Sequence, residues 1–119
     1  MNFISKLTNE FYNLHSDLSK LKNNQKVDIQ ETKLKIEKTF EVMFSNIHIS
    51  SNKILEKSSD TLNTINFLLN ELENKNSANL ESNFETYFNN YRELINIIKL
   101  ELGVDSLSKE NQKLIRYGF

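Results

Sequence analysis

Apolar residues recur along this chain at alternating steps of three and four, the spacing that gathers them on one side of a helix. The first run is Ile4, Leu7, Phe11, Leu14, Leu18 and Leu21, an unbroken stripe that predicts a helix from about Asn2 to Lys22. Asn23, Asn24 and Gln25 interrupt it and read as a connection. The longest stretch, Asp28 to Lys75, holds neither Gly nor Pro and carries two stripes in succession: Ile29, Ile36, Phe40, Met43 and Ile47, then Leu55, Leu62, Ile65, Leu69 and Leu72. A further stripe, Leu80, Phe84, Tyr87, Tyr91, Leu94 and Ile98, is widened by Phe88, Ile95 and Leu102, so this face suits contact with two neighbours.

The polar residues between the stripes supply ends. Asp28 is placed to cap the free N–H groups of a helix, with Glu31 three positions on completing a capping box. Ser77 suits the N-cap of the helix that follows. Gly103 suits the left-handed C′ position after Leu102, with Val104 folding back on Ile98, and Asp105 or Ser106 can cap a short last helix carrying Leu107, Leu114 and Ile115. One junction decides the architecture. From Ile47 to Leu55 through Ser51 the spacing takes two steps of four, so either one helix carries a stutter there or Ser50, Ser51 and Asn52 form a turn. With a turn, the main segments are each roughly 21 to 24 residues, or about 32 to 36 Å.

The expected fold is therefore all-α, a single domain over 1–119, built as an antiparallel four-helix bundle with a short C-terminal helix. The alternative is a continuous central helix over 28–75, roughly 70 Å long, whose half-covered stripe needs a second chain in a dimeric bundle. The turn is preferred because so long a helix is rare in globular domains and the apolar register shifts where the turn falls.

Composition narrows the function more than the fold. A chain of 119 residues, 38% hydrophobic and 26% charged, can bury a core. Residues 1–57 carry nine Lys/Arg and seven Asp/Glu, and residues 58–119 carry six and nine, which sums to a net charge of −1. No basic field is available to hold nucleic acid. The absence of Cys excludes disulfides, thiolate metal sites and thiol catalysis. Met1 to Lys6 lacks the pattern of a signal peptide, and no apolar run approaches the roughly 18 residues of a membrane span, so a cytoplasmic protein is expected. A peripheral contact with the inner membrane through Phe3, Ile4, Leu7, Phe11 and Leu14 is the weaker reading, since Glu10 and Asp17 dilute the Lys residues of that helix.

Searching for chemistry finds little. His15, Ser16 and Asp17 are consecutive, and consecutive helical residues point apart, so they read as solvated residues beside a core stripe rather than a triad. Neither His15 nor His48 is preceded by Glu at three positions, which removes the pairs of di-iron bundles, and His48 near the suspected turn reads as a surface residue. Two Gly, at 103 and 118, cannot build a phosphate-cradling loop. Arg92 and Arg116 are the only arginines, and neither has His close behind it, so the Arg-spacer-His pattern of helical ribonucleases is missing. Glu71 and Glu73 face different ways on a helix and read as solvated surface. Phe84, Tyr87, Phe88 and Tyr91 lack interleaved cations and read as core with the Tyr hydroxyls at its edge, not as a base-stacking platform. No catalytic residue, cofactor or metal is expected. The candidate partner-binding residues are Phe3, Phe11, Tyr12, Arg116, Tyr117 and Phe119.

The run Phe3-Ile4-Ser5-Lys6-Leu7-Thr8-Asn9-Glu10-Phe11-Tyr12, the length, the absence of Cys and the Asn/Lys/Ile bias together resemble the BlyB family, small haemolysin or holin accessory proteins of spirochaete plasmid prophages. The resemblance implies a soluble partner of a small membrane-permeabilising protein, with no catalytic residues to carry over. The expected function is a non-enzymatic helical interaction module that binds a protein partner, a small membrane protein or a second copy of itself, as an accessory to a holin or membrane-lysis system. The alternative is a small inhibitor or immunity protein that covers the site of a nuclease or toxin, favoured if the acidic C-terminal half forms one contiguous patch.

Overall fold

Polar residues set several of the points where helices begin and end. In the computed structural model, which describes residues 3–48, 51–75 and 78–102, α1 spans Phe3–Lys22, α2 Ile29–Ser45, α3 Asn52–Glu73 and α4 Leu80–Leu102. The carboxylate of Asp28 accepts from the backbone N–H groups of Gln30 and Glu31, and the Ser51 hydroxyl accepts from Ile54 N–H, so α2 and α3 each start on an N-cap side chain. The end of α1 is a Schellman motif: Gln25 N–H donates to Lys20 C=O at 2.8 Å, Asn24 N–H donates to Leu21 C=O at 3.1 Å, and Asn24 takes φ 60°. At the end of α3 the left-handed residue is Lys75, with φ 54°.

Polar pairs between neighbouring helices fix their direction. Lys57 meets Glu93, Asn90 donates to Thr64 and Asn83 donates to Glu71, so residue numbers rise on α3 as they fall on α4. Asp17 meets Thr32 and Lys35 while Glu10 meets Lys38, which sets α1 against α2 in the same sense. Lys33 and Gln30 at the start of α2 both reach Glu73 at the end of α3. The result is an antiparallel four-helix bundle among the described residues, about one helix long at 41 Å. One apolar core runs its length, with Leu7, Leu14, Leu18, Leu62, Ile65, Leu68, Leu69, Tyr87, Leu94 and Ile98 excluded from solvent.

The turn reading of the central stretch holds, and two separate helices replace the continuous 28–75 helix of the alternative. The break lies earlier than the Ser50–Asn52 position suggested by spacing. α2 stops at Ser45, Asn46 N–H and its side-chain amide fold back onto the Met43 and Val42 carbonyls, and Ile47 falls in the turn, 47% exposed. Ile47 continued the apolar stripe by number alone. At 17 residues, α2 is shorter than expected, and its neighbours are 20, 22 and 23. Ser77, Gly103, Val104 and the short last helix lie outside the described residues.

A long side chain at positive φ costs roughly 1–2 kcal/mol that Gly does not, whereas Asn tolerates the region better. Lys75→Gly should therefore raise the unfolding free energy by about 1 kcal/mol, and Asn24→Gly by less, as read from urea denaturation midpoints.

Candidate functional site

The end of the bundle where α2 turns into α3 leaves apolar surface uncovered. The early stop of α2 places Phe44, 63% exposed, and Ile47 beside Leu55 on α3, over a floor made by buried Met43. Together with Glu56, Ser59 and Asp60 these residues line an open groove of about 320 Å³. The Phe40 and Phe44 rings lie 5.9 Å apart and nearly parallel, so Phe44 is held against its own helix. Glu56 and Asp60, four residues apart, share a face of α3, and among the described residues no ion pair joins either to a cation. Further along the outer face of the same pair of helices, Leu34 and Phe67 are 62% and 56% exposed. Of the large apolar side chains that face solvent, most thus belong to the α2–α3 half.

A second depression, about 370 Å³, lies against α4 and the end of α1. Lys22 and Arg92 bring positive and Glu81 and Glu85 negative charge to its lining, together with Phe88 and Asn89. Its mixed lining offers no single charge to a ligand.

Inside the bundle, α1 meets α4 through a histidine. His15 is buried, its ring stacks on Tyr91 with centroids 4.1 Å apart and planes 6° apart, and Phe88 meets it edge-on at 5.7 Å. His15 Nδ1 lies 2.8 Å from the Tyr87 hydroxyl. That bond forms between neutral groups, with one proton carried by Oη or by Nδ1. Burial lowers the His15 pKa from 6.5 to about 4. Tyr87 is pushed well above the ordinary phenol value by burial and then by Tyr91, and Tyr91 is raised by burial and then by Tyr12. The surroundings hold all three rings uncharged.

His15 and Asp17 are thus buried residues, not the solvated ones that their sequence setting suggested. Asp17 turns to α2, where its Oδ2 accepts from Thr32 Oγ1 at 2.9 Å and from Lys35 Nζ at 2.8 Å, while His15 turns to α4. The two share no proton path. Glu71 is also buried, with Asn83 donating to its carboxylate, which corrects its reading as solvated surface. His48 lies exposed in the turn after α2. Among the described residues no three of His, Cys, Asp or Glu stand close enough to hold a metal ion.

Of the residues singled out for partner binding, Phe3 and Phe11 are buried at 8% and 1% exposure and belong to the core, so neither is offered to a partner. Tyr12 is exposed at 38%. Arg116, Tyr117 and Phe119 lie outside the described residues. Sequence reasoning missed Phe44, because it lies one position outside the Phe40–Met43 stripe, and missed Ile47, because it lies on the stripe. An apolar residue just off a completed stripe, next to a run of Ser and Asn, was the available signal. No protein-family model, no curated protein and no solved structure matches this chain.

Because His15 titrates near 6.5 when unfolded and near 4 when folded, the unfolded chain binds more protons between those values, and stability falls as pH drops from 6.5 to about 4. Urea midpoints taken across that interval should decline, and His15→Gln should flatten the upper part of the decline, above the range of the carboxylates. Tyr87→Phe removes the partner of a buried imidazole nitrogen and should cost about 1–3 kcal/mol, measured by the same denaturation.

Proposed function

We propose that this chain is a non-enzymatic docking module that receives an apolar segment of another protein in the groove between α2 and α3. The observation that carries this reading is the pair Phe44 and Ile47, large apolar side chains held in solvent over a buried Met43 floor. Grooves of this kind take the apolar face of an amphipathic helix, and contiguous exposed apolar surface on a folded domain marks such contacts. Glu56 and Asp60 beside the groove, which no ion pair joins to a cation among the described residues, favour a segment that also carries Lys or Arg.

The resemblance of the Phe3–Tyr12 run to the BlyB family supports a particular setting: an accessory to a prophage holin or membrane-lysis system, working on the cytoplasmic side and in contact with a small membrane protein. No helix among the described residues is long and apolar enough to cross a membrane, which suits an accessory rather than a pore. The inhibitor reading calls for a contiguous acidic patch. Around the α4 depression, Glu81 and Glu85 share the lining with Lys22 and Arg92, and that mixture of signs gives it no support there.

Flotation with liposomes, with and without a co-expressed small membrane protein, tests the setting. The chain should float only with that protein, and a chain that stays at the bottom in both cases overturns the accessory role. Phe44→Asp changes an exposed side chain and should move stability by no more than about 0.5 kcal/mol, yet weaken partner binding by about 2 kcal/mol or more if Phe44 is a central anchor. Isothermal titration of the recovered partner checks the second figure and urea denaturation the first.

A further inference from the structure

The groove between α2 and α3 has charged rims. On α2, Glu37, Glu41 and Phe44 follow at steps of four and three, and on α3, Glu56, Asp60, Asn63 and Phe67 follow at steps of four, three and four, so each set shares one outer side of its helix. All of them are exposed. Gln30 and Lys33 of α2 both reach Glu73 of α3, and continuing that antiparallel register brings Phe44 level with Asp60, Glu41 with Asn63 and Glu37 with Phe67. The apolar groove of Phe44, Ile47 and Leu55 over Met43 therefore opens between two carboxylate rows, Glu37 and Glu41 on α2 and Glu56 and Asp60 on α3.

Nearby basic groups do not balance those rows. Among the described residues no ion pair joins any of the four carboxylates to a cation, while Lys33 is committed to Glu73, Lys38 to Glu10 and Lys57 to Glu93. Lys53, exposed one turn before Glu56, and His48, exposed in the turn, are the basic side chains that remain at this end of the two helices. The last turn of α2 carries no Lys or Arg to answer its carbonyl end, whereas α3 begins on its own Ser51 cap. A second copy laid on this face would set carboxylates against carboxylates, and an anionic lipid surface would set them against phosphates. We propose that the groove takes a cationic amphipathic helix of a partner protein, its apolar stripe entering between Phe44 and Leu55 and the Lys or Arg residues on both borders of that stripe meeting the two carboxylate rows. The inference rests on the docking reading above and adds the charge pattern of the partner, with cations on each flank of the stripe rather than on one.

The chain's two Met residues are Met1 and Met43, so labelled Met methyls give one signal from the groove floor. Two synthetic helices with the same Leu stripe serve as probes, one bordered on both sides by Lys and the other by Gln. At low salt the Lys helix should move the Met43 methyl with an affinity about tenfold above that of the Gln helix, the size expected of four exposed ion pairs together, and high salt should narrow the gap. Glu37→Gln with Glu41→Gln should remove part of the preference, Glu56→Gln with Asp60→Asn another part, and all four together the whole of it. Equal affinity for the two helices overturns the inference and leaves the docking reading standing. A preference that either pair of substitutions leaves untouched also overturns it, because the second row of cations then has no counterpart. So does a Met43 change produced by raising the concentration of the chain alone, which assigns the groove to a second copy, or by adding vesicles of anionic lipid, which assigns it to a membrane. If neither helix moves Met43, the docking reading falls as well.

Discussion

The breadth of the buried face of α1 is the constraint that shapes this bundle. A simple seam would hide only Ile4, Leu7, Phe11, Leu14, Leu18 and their neighbours, but Ser5, Thr8, His15 and Asp17 are hidden as well. Polar groups removed from water need partners, or each costs free energy. Two of these find theirs on different helices. Asp17 binds Thr32 and Lys35 of α2, and His15 binds Tyr87 and stacks on Tyr91 of α4. α1 is thereby tied on two sides by directional contacts, which specify neighbours in a way that interchangeable leucines do not. The same economy appears in the other helices, where the buried Thr39 and Thr61 hydroxyls return their protons to carbonyls one turn back at 2.8 Å.

The fold was largely legible in the sequence and the site was not. Periodicity marks helices well because every stripe residue reports the same geometry, and Asp28 marked its cap by chemistry that acts within one turn. The break between α2 and α3 was legible in kind but displaced in position, because Ile47 satisfies the helical count although the chain has already turned. His15 shows a different limit. Its neighbours in sequence, Ser16 and Asp17, suggested a wet surface, and only the packing of α4 seventy-two positions away provides the hydroxyl and the ring that make its burial tolerable. Glu71 repeats the lesson with Asn83. The groove was hidden for the opposite reason. Phe44 and Ile47 are the residue types that pattern reading assigns to cores, and their exposure follows from where a helix stops, which a stripe does not record.

The two ends of the bundle are built unequally. At the end holding the α1–α2 and α3–α4 connections, Lys33 and Gln30 clasp Glu73, and α1 closes with paired backbone bonds. Toward the opposite end, Thr8 Oγ1 and Ser58 Oγ are buried with no partner among the described residues, α2 is shortest, and Phe44 stands in solvent. Local opening in a folded domain follows such gradients, beginning where contacts are sparse and polar groups gain most by meeting water. Breathing of this molecule should therefore start beside Phe44 and spread toward Asp17 and Glu73, so that backbone amides near Met43 and Leu55 trade deuterium earlier than those near Leu18 and Leu69. The open apolar groove and the fraying edge of the molecule are one and the same region.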